Sequence, residues 1–496
     1  MPHNRGGCKI LRNLELSHLL AELLAGALEE ENIENIRVTG INSDSRAIAF
    51  GEAFFALPGS NVHGDVYSAK AVERGARVII SDREPAMDLG VSNIVVKNVR
   101  AAYAKAAMRV SGPQPEIMMG VTGTNGKTSV AAFVLQIWEH MGIKGATIGT
   151  LGTQSGEKIV AGSLTTPDPL TLHRQLAQFK EQGIDHVIME ASSHGLDQAR
   201  LDGVEFDVVG FTNLSRDHLD YHEDMDRYRD AKLRLFKELM KEGGAAVVNG
   251  DDPEHMPFLF GAMERGATPL SVGREGAYIE ISDIVRDGWG QRITGKLVGE
   301  PLDFFLPLAG EFQALNAVVA AAMVVAAGAD KDMVVSALEK LKGARGRLEK
   351  VATHKGAAIF VDYAHTPDAL ETALGTLRPY ATKSLKVLIG AGGDRDKGKR
   401  SQMGAVASEI SDLVIVTDDN PRTEDAAAIR AQIMEGAKGA MEVGDRSLAI
   451  RAAIESLEKG DVLLIAGKGH EDYQIVGTTR HPFSDHEQVI EAIRAK

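Results

Sequence analysis

Residues 120–129 read GVTGTNGKTS and put three glycines, a lysine and a threonine where a phosphate could be cradled. Glycines let backbone N–H groups approach phosphate oxygens. Lys127 adds a point charge, and the Thr128 hydroxyl can hold Mg²⁺. The glycines are Gly120, Gly123 and Gly126; the strict general spacing would ask for glycine at Val121. A plain glycine turn between strand and helix is the alternative, and a lysine directly before Thr128 at the helix start argues against it. The loop implies a nucleoside triphosphate. It leaves motor, switch, kinase and ligase open.

Other groups of side chains are placed for related work. Glu190 ends an apolar run and opens EASSHG, where a carboxylate could hold Mg²⁺ or serve as a hydrogen-bonded turn residue. The stretch NLSRDHLDYH carries His218 and His222, four apart as on one helix face. With one cysteine in the chain, magnesium near phosphate is favoured over a structural zinc site. Thr165-Thr166-Pro167-Asp168 reads as a helix start capped by Asp168, or as hydroxyls facing an anion. Arg422 in DNPR can grip a carboxylate bidentately, or be a solvated turn residue. Lys232 sits in a helical pattern, YRDAKL, and taken alone reads as a surface lysine.

The elements that must position these groups alternate between strand and helix. Ile117-Met118-Met119 reads as a strand before the phosphate loop, and 129–141 as the helix after it. Strand patterns at 186–191, 207–212 and 245–248 alternate with helical ones at 170–182, 226–241 and 314–327, which predicts an α/β protein with a parallel sheet. Strands at 357–362, 385–390, 412–417 and 461–466 run into DYAHTPD, GAGGDRDKGKR, TDDNPR and AGKGHED. These loops share the carboxyl edge of one predicted sheet, where ligands bind in open α/β folds. Ile36-Arg37-Val38 and Val78-Ile79-Ile80 read as strands of an earlier domain. The linker Gly112-Pro113-Gln114-Pro115 and the glycine- and arginine-rich 343–348 divide the chain into 1–111, 112–343 and 344–496.

The chain has 496 residues, enough for about three domains. Its net charge of −14 argues against a general nucleic-acid binder. No apolar run reaches membrane-spanning length, so no membrane insertion is expected. One cysteine, Cys8, and no charged-then-apolar leader point to the cytoplasm.

Taken together, DSR, TGTNGKTS, TTPD, EASSHGL, NLSRDHLDYH, the lysine of DAKLRLF, GRLEKV, DYAHTPDAL, GGDRDKGKR, DNPR and GKGHEDYQ resemble, in order, the motifs of the Mur ligase family. The resemblance spans Ser43 to Glu471. It implies a domain for the UDP end, a central P-loop ATPase and a Rossmann-like C-terminal domain for the incoming amino acid. Ser43, Ser45 and Ser60-Asn61-Val62 would meet the uridine nucleotide. Thr165, Thr166, Ser192, Gln198 and Arg200 would hold the UDP-muramoyl dipeptide. Gly123, Thr124, Asn125, Gly126, Lys127, Thr128 and Ser129 would bind ATP phosphates, with Asn316, Arg347, Asp362 and His365 completing that site. Lys127, Glu190, His218 and Lys232 would be catalytic, and Thr128, Glu190, His218 and a carbamylated Lys232 would hold Mg²⁺. Arg395, Asp419, Asn420, Pro421, Arg422, Gly467 and Glu471 would bind meso-diaminopimelate, Arg422 taking the far carboxylate and Glu471 an ammonium. The implied reaction joins the D-glutamyl carboxylate to an amine through an acyl phosphate, with closure of the domains before chemistry and a monomer in solution. An L-lysine-adding Mur ligase and a folylpolyglutamate-synthase-like ligase are the alternatives, and an NTP-dependent switch the rival from another class. Three positions depart from the family pattern: Gln313 stands where many relatives have asparagine, Glu223 where glycine is common, and Leu164 where some have a polar residue.

Overall fold

The computed structural model describes residues 36–59, 62–156, 158–160, 162 and 164–495. They form two compact units: one holds the described residues up to Lys127 with Gly142–Leu270 and Ala326–Gly328, the other Thr128–Met141, Ser271–Val325 and the chain from Ala329.

The first unit contains two sheets. The smaller is parallel, in the order Ile41–Asn42, Ala53–Phe55, Val78–Ser81, Ser92–Val95. Ile36-Arg37-Val38, expected as a strand, is irregular chain. Val38 is buried, which gave the segment its apolar look, but the next residue, Thr39, bonds Gly51 and Phe50 in a loop rather than a ladder.

The larger sheet of this unit runs Met240–Asn249, Phe206–Phe211, Ile117–Thr122, His186–Glu190, Gly145–Gly149, all parallel, followed by antiparallel Gly152–Ser155 and Lys158–Val160. Its central strands, Phe206–Phe211, Ile117–Thr122 and His186–Glu190, are nearly continuous apolar runs because both faces are covered. Met118, Val187, Met189, Phe206, Val209 and Phe211 share one core with Leu172, Leu176 and Phe236. The register pairs Val121 with Glu190 and Thr122 with Phe211. Three strands therefore end side by side, and the phosphate loop, Glu190 and Thr212-Asn213 leave the sheet at one edge.

The helix expected over 226–241 is shorter. Met225–Arg234 is α-helical, Leu235–Leu239 is a π turn, and a strand starts at Met240. Leu235, Phe236 and Leu239 are all buried, so their spacing extended the apparent helical period past its end.

In the second unit, Ile279–Asp287, Gly290–Leu297 and Glu300–Leu306 form an antiparallel meander that the sequence reading did not anticipate. The helix Glu311–Ala326 matches its pattern. A six-stranded sheet follows in the order Glu349–His354, Ala357–Asp362, Val462–Ala466, Leu385–Ile389, Leu413–Val416, Met441–Glu442, parallel except at its first pair. The four charged loops all leave its carboxyl edge.

Candidate active site

The phosphate loop joins the strand Ile117–Thr122 to the helix Lys127–His140. Gly123 has φ +149°, and a Cβ there would lie 1.9 Å from Thr212 Oγ1. Glycine is required by that approach. The loop is tied to 212–215: Thr124 N–H donates to Asn213 O at 2.8 Å, Asn125 N–H to Asn213 Oδ1 at 2.9 Å, and Thr212 Oγ1 to Asn125 O at 2.5 Å. Lys127 Nζ donates to the carbonyls of Gly123 and Thr124, each at 2.8 Å.

Lys232 is not a surface residue. It is 1% exposed, and its Nζ donates to Gly123 O at 2.9 Å. The same nitrogen sits 4.3 Å from the Tyr228 ring centroid, one helical turn back. Burial, and then the charge of Lys127, push its pKa well below the usual lysine value against an opposing pull from Asp217. The solvated reading failed because Tyr228, Ala231 and Leu233, buried neighbours in the same helix, turn this segment inward.

Tyr228 links this group to the histidines. Its hydroxyl lies 3.2 Å from Thr124 Oγ1. The His218 ring is 6.2 Å and the His222 ring 5.2 Å from the Tyr228 ring. His218 is half exposed, with φ +53°, and its ring meets His194 edge-on at 4.9 Å. His194 is held at a pKa of about 4 by burial and the neighbouring imidazoles. Glu223 has φ +69°, a left-handed conformation that favours glycine.

Glu190 is 2% exposed and belongs to a second network. Its Oε1 accepts from Thr150 N–H at 2.8 Å and its Oε2 from the Thr150 hydroxyl at 3.1 Å. Thr150 Oγ1 is 3.1 Å from Thr165 Oγ1. Thr166 Oγ1 donates to Glu190 O at 2.9 Å and lies 2.9 Å from Ser192 Oγ. Arg200 donates to Thr166 O at 3.0 Å and to Gln198 Oε1 at 2.6 Å, and Gln198 donates to the Tyr221 hydroxyl at 3.0 Å. Thr165, Thr166, Ser192, Gln198 and Arg200 are thus one connected set with Glu190. Among the described residues no three His, Cys, Asp or Glu side chains converge as a ready metal site.

Of the expected uridine contacts, Ser43 bonds the buried Tyr103 hydroxyl, Ser45 is buried, and Val62 is exposed. Ser60, Asn61 and Cys8 lie outside the described residues.

In the second unit, Asn316 and Gln313 are buried on the helix Glu311–Ala326, and Gln313 Nε2 donates to Arg347 O at 3.1 Å. The Arg347 guanidinium lies 4.8 Å from the Tyr363 ring centroid. Asp362 accepts from the N–H groups of Leu348 at 2.5 Å and Ala364 at 2.7 Å; burial raises its pKa. His365 Nδ1 bonds Tyr363 O at 2.7 Å.

On the same carboxyl edge of the sheet, Asp419 and Asn420 are buried and Asn420 Nδ2 donates to Glu471 Oε2 at 2.8 Å. Arg422 has φ +51°, and its backbone is pinned by Ile475 O at 3.1 Å and Gly477 N at 2.7 Å. Its Nη1 donates to Gly393 O at 2.7 Å, placing it beside the loop that carries the exposed Arg395. Gly467 has φ +111°, and a Cβ there would come within 2.9 Å of Asp419 Oδ2.

The sequence reading passed over Tyr228, Thr150 and Lys468. Tyr228 was findable, since it lies four residues before Lys232 on one helix face. Thr150 carried no local signal. Lys468 stood inside GKGHED but drew attention only through its neighbours.

Three stretches match Mur ligase domains: residues 37–114 the Mur ligase family, catalytic domain, residues 121–324 the Mur ligase middle domain, and residues 346–469 the Mur ligase, glutamate ligase domain. The chain belongs to the Mur ligase family, with its α/β three-domain fold. The UDP-N-acetylmuramoyl-L-alanyl-D-glutamate–2,6-diaminopimelate ligase of Bradyrhizobium diazoefficiens is 51% identical over 471 residues, 94% of this chain and 97% of that protein. A solved structure of a ligase with that same name is 32% identical, with a TM-score of 0.71, over 96% of this chain and 98% of its own. A Mycobacterium tuberculosis folylpolyglutamate synthase complexed with ADP and AMPPCP has a similar fold, at 20% identity and a TM-score of 0.58, over 74% of this chain and 92% of its own.

Proposed function

We propose that this chain is the ATP-dependent ligase that adds meso-2,6-diaminopimelate to UDP-N-acetylmuramoyl-L-alanyl-D-glutamate in peptidoglycan synthesis. The observation that carries the ligase reading is Lys232, buried against the phosphate-loop carbonyl that Lys127 also binds. A hydrolytic switch gives no reason for that second amine. The 51% identity to a diaminopimelate ligase and the position of Arg422 support the choice of amino acid.

The D-glutamyl carboxylate attacks the γ-phosphorus of ATP, ADP leaves, and an acyl phosphate results. The amine of diaminopimelate attacks the acyl carbon, phosphate leaves, and the amine proton is lost. In the first step anions converge, so charge neutralisation is the main catalytic demand. Lys127 answers it at the phosphate loop. Thr165, Thr166, Ser192, Gln198 and Arg200 hold the muramoyl dipeptide beside Glu190, which supplies the proximity term. Ser43, Ser45, Ser60, Asn61 and Val62 take the uridine end, and Asn316, Arg347, Asp362 and His365 the nucleoside of ATP.

The donor set fits Mg²⁺, which takes few protein oxygens and keeps phosphate and water ligands. Thr128 and Glu190 would hold it, and it would neutralise phosphate charge when bound. Lys232 as an amine is no ligand for magnesium. As a carbamate it brings oxygen donors and a negative charge, and with His218 it joins the set. The amine is suited to that reaction, because only the neutral form captures CO₂ and burial favours the neutral form.

Arg422 pairs with the far carboxylate of diaminopimelate, Glu471 with its ammonium, and Arg395, Asp419, Asn420, Pro421 and Gly467 shape the pocket. L-Lysine lacks that carboxylate and would leave the arginine unpaired. The functional segments are 1–111, 112–343 and 344–496. No helix among the described residues is long and apolar enough to cross a membrane, and a cytoplasmic monomer completes the proposal. Arg422→Ala tests the amino-acid end: its KM for diaminopimelate should rise with little change in that for ATP, and an unchanged KM would remove the role.

A further inference from the structure

Lys468 is fully buried. An ammonium removed from water must be held by oxygen acceptors. Its Nζ donates to Asn420 Oδ1 at 3.0 Å and to Tyr473 O at 2.8 Å. The carboxylates of Asp419 and Glu471 stand 3.3 and 3.6 Å away. One nitrogen therefore ties together the DNPR turn, the GKGHED turn and the hairpin Tyr473–Val476/Thr479–Pro482.

Asn420 completes the tie. Its Oδ1 also accepts from Ile475 N–H at 2.9 Å, while its Nδ2 holds Glu471. The same hairpin pins the backbone of Arg422. Two carboxylates and one ammonium leave a single net negative charge in this buried group. Asp419, 6% exposed, turns its Oδ1 towards the Lys468 ammonium at 3.3 Å. Glycine at 467 leaves its other oxygen, Oδ2, uncovered by a side chain. A lone negative charge with one carboxylate oxygen uncovered suits one incoming ammonium.

We propose that Lys468 is a positioning residue for amino-acid recognition: it locks Asp419, Asn420 and Glu471 into one unit with a single net negative charge, set at a fixed distance from Arg422. This rests on the reading that Arg422 and Glu471 bind the diamino acid. Lys468 does not touch substrate. Without it the two carboxylates repel, and Glu471, already raised by burial and by Asp419, takes up a proton and loses its hold on a cation.

The test is steady-state kinetics on Lys468→Met, Lys468→Arg and Arg422→Ala, varying each substrate in turn and measuring Tm for every variant. Both Lys468 variants should raise KM for diaminopimelate by about tenfold or more, leaving KM for ATP and for the UDP-muramoyl dipeptide within about twofold. Lys468→Arg keeps the buried cation, so it decides the matter if Lys468→Met does not fold. An unchanged KM for diaminopimelate, or an equal rise in all three, overturns the proposal while Arg422→Ala still raises that KM. If Arg422→Ala also leaves it unchanged, the reading of the whole amino-acid end fails, and the proposal with it.

Discussion

Lys127 and Lys232 donate to one carbonyl oxygen, that of Gly123, at 2.8 and 2.9 Å. Two ammonium groups at one oxygen repel, and the buried one gives up its proton more readily. Capture of CO₂ by the neutral Lys232 amine, as proposed, would form a carbamate and release one proton, turning like charges into a pair. Lys232→Ala should lower phosphate release at least about 100-fold, as loss of a charge-stabilising group does. Added bicarbonate should not restore it. Intact-protein mass spectrometry at neutral pH should find one CO₂ on the wild type and none on the variant; full activity in Lys232→Ala ends the carbamate reading.

Gly123 sets the height of that carbonyl. A methyl group there meets Thr212 Oγ1 at 1.9 Å, so either the loop or the 212–215 segment must move. Overpacking of this kind costs about 1–3 kcal/mol. A shift near 1 Å at a phosphate site costs about 100-fold in rate. Gly123→Ala should therefore lose most activity while losing little secondary structure by circular dichroism. Wild-type turnover in this variant contradicts the close approach.

His173 offers a pH test within the first unit. It is 2% exposed, Nε2–H donates to Asp202 O at 3.2 Å, and burial lowers its pKa to about 4. The unfolded chain binds the proton first, so the stabilisation is complete above about 6.5 and is lost as pH falls towards 4. From about 6.5 to about 4 the loss is on the order of 3 kcal/mol. Tm followed across that range should fall for the wild type and fall less steeply for His173→Gln. Parallel curves would show that another group carries the acid sensitivity.

Glu223 tests the backbone reading. Its φ of +69° favours glycine, and its Arg227 contact is an exposed pair worth little. Glu223→Gly should be more stable than Glu223→Ala by about 1 kcal/mol, the reverse of the order inside a helix. Urea unfolding of the two variants checks the sign.

Much of this was legible in the chain because it is local. The phosphate loop lies between an apolar strand and an apolar helix, and the four charged loops each follow a strand of the second unit. Glu190 was placed correctly at a strand tip. What stayed hidden depends on distant partners. Nothing near Lys232 announces that the carbonyl of Gly123, more than a hundred residues earlier, will accept its hydrogen bond. Thr150 meets Glu190 only because the strands Gly145–Gly149 and His186–Glu190 pair. The meander from Ile279 to Leu306 escaped notice because its strands are half exposed and carry too few apolar residues in alternation. Lys468 was missed because composition marks a lysine as a surface residue, and only the fold surrounds it with acceptors.

As a ligase, this chain must couple ATP cleavage to joining diaminopimelate and the muramoyl dipeptide. Phosphate release should be measured with ATP, Mg²⁺, UDP-N-acetylmuramoyl-L-alanyl-D-glutamate and either meso-diaminopimelate or L-lysine. Sustained release is predicted with diaminopimelate, none when any substrate is omitted, and little with L-lysine. Equal release with L-lysine, or release without an amino acid, would overturn diaminopimelate ligation as the reaction of this chain.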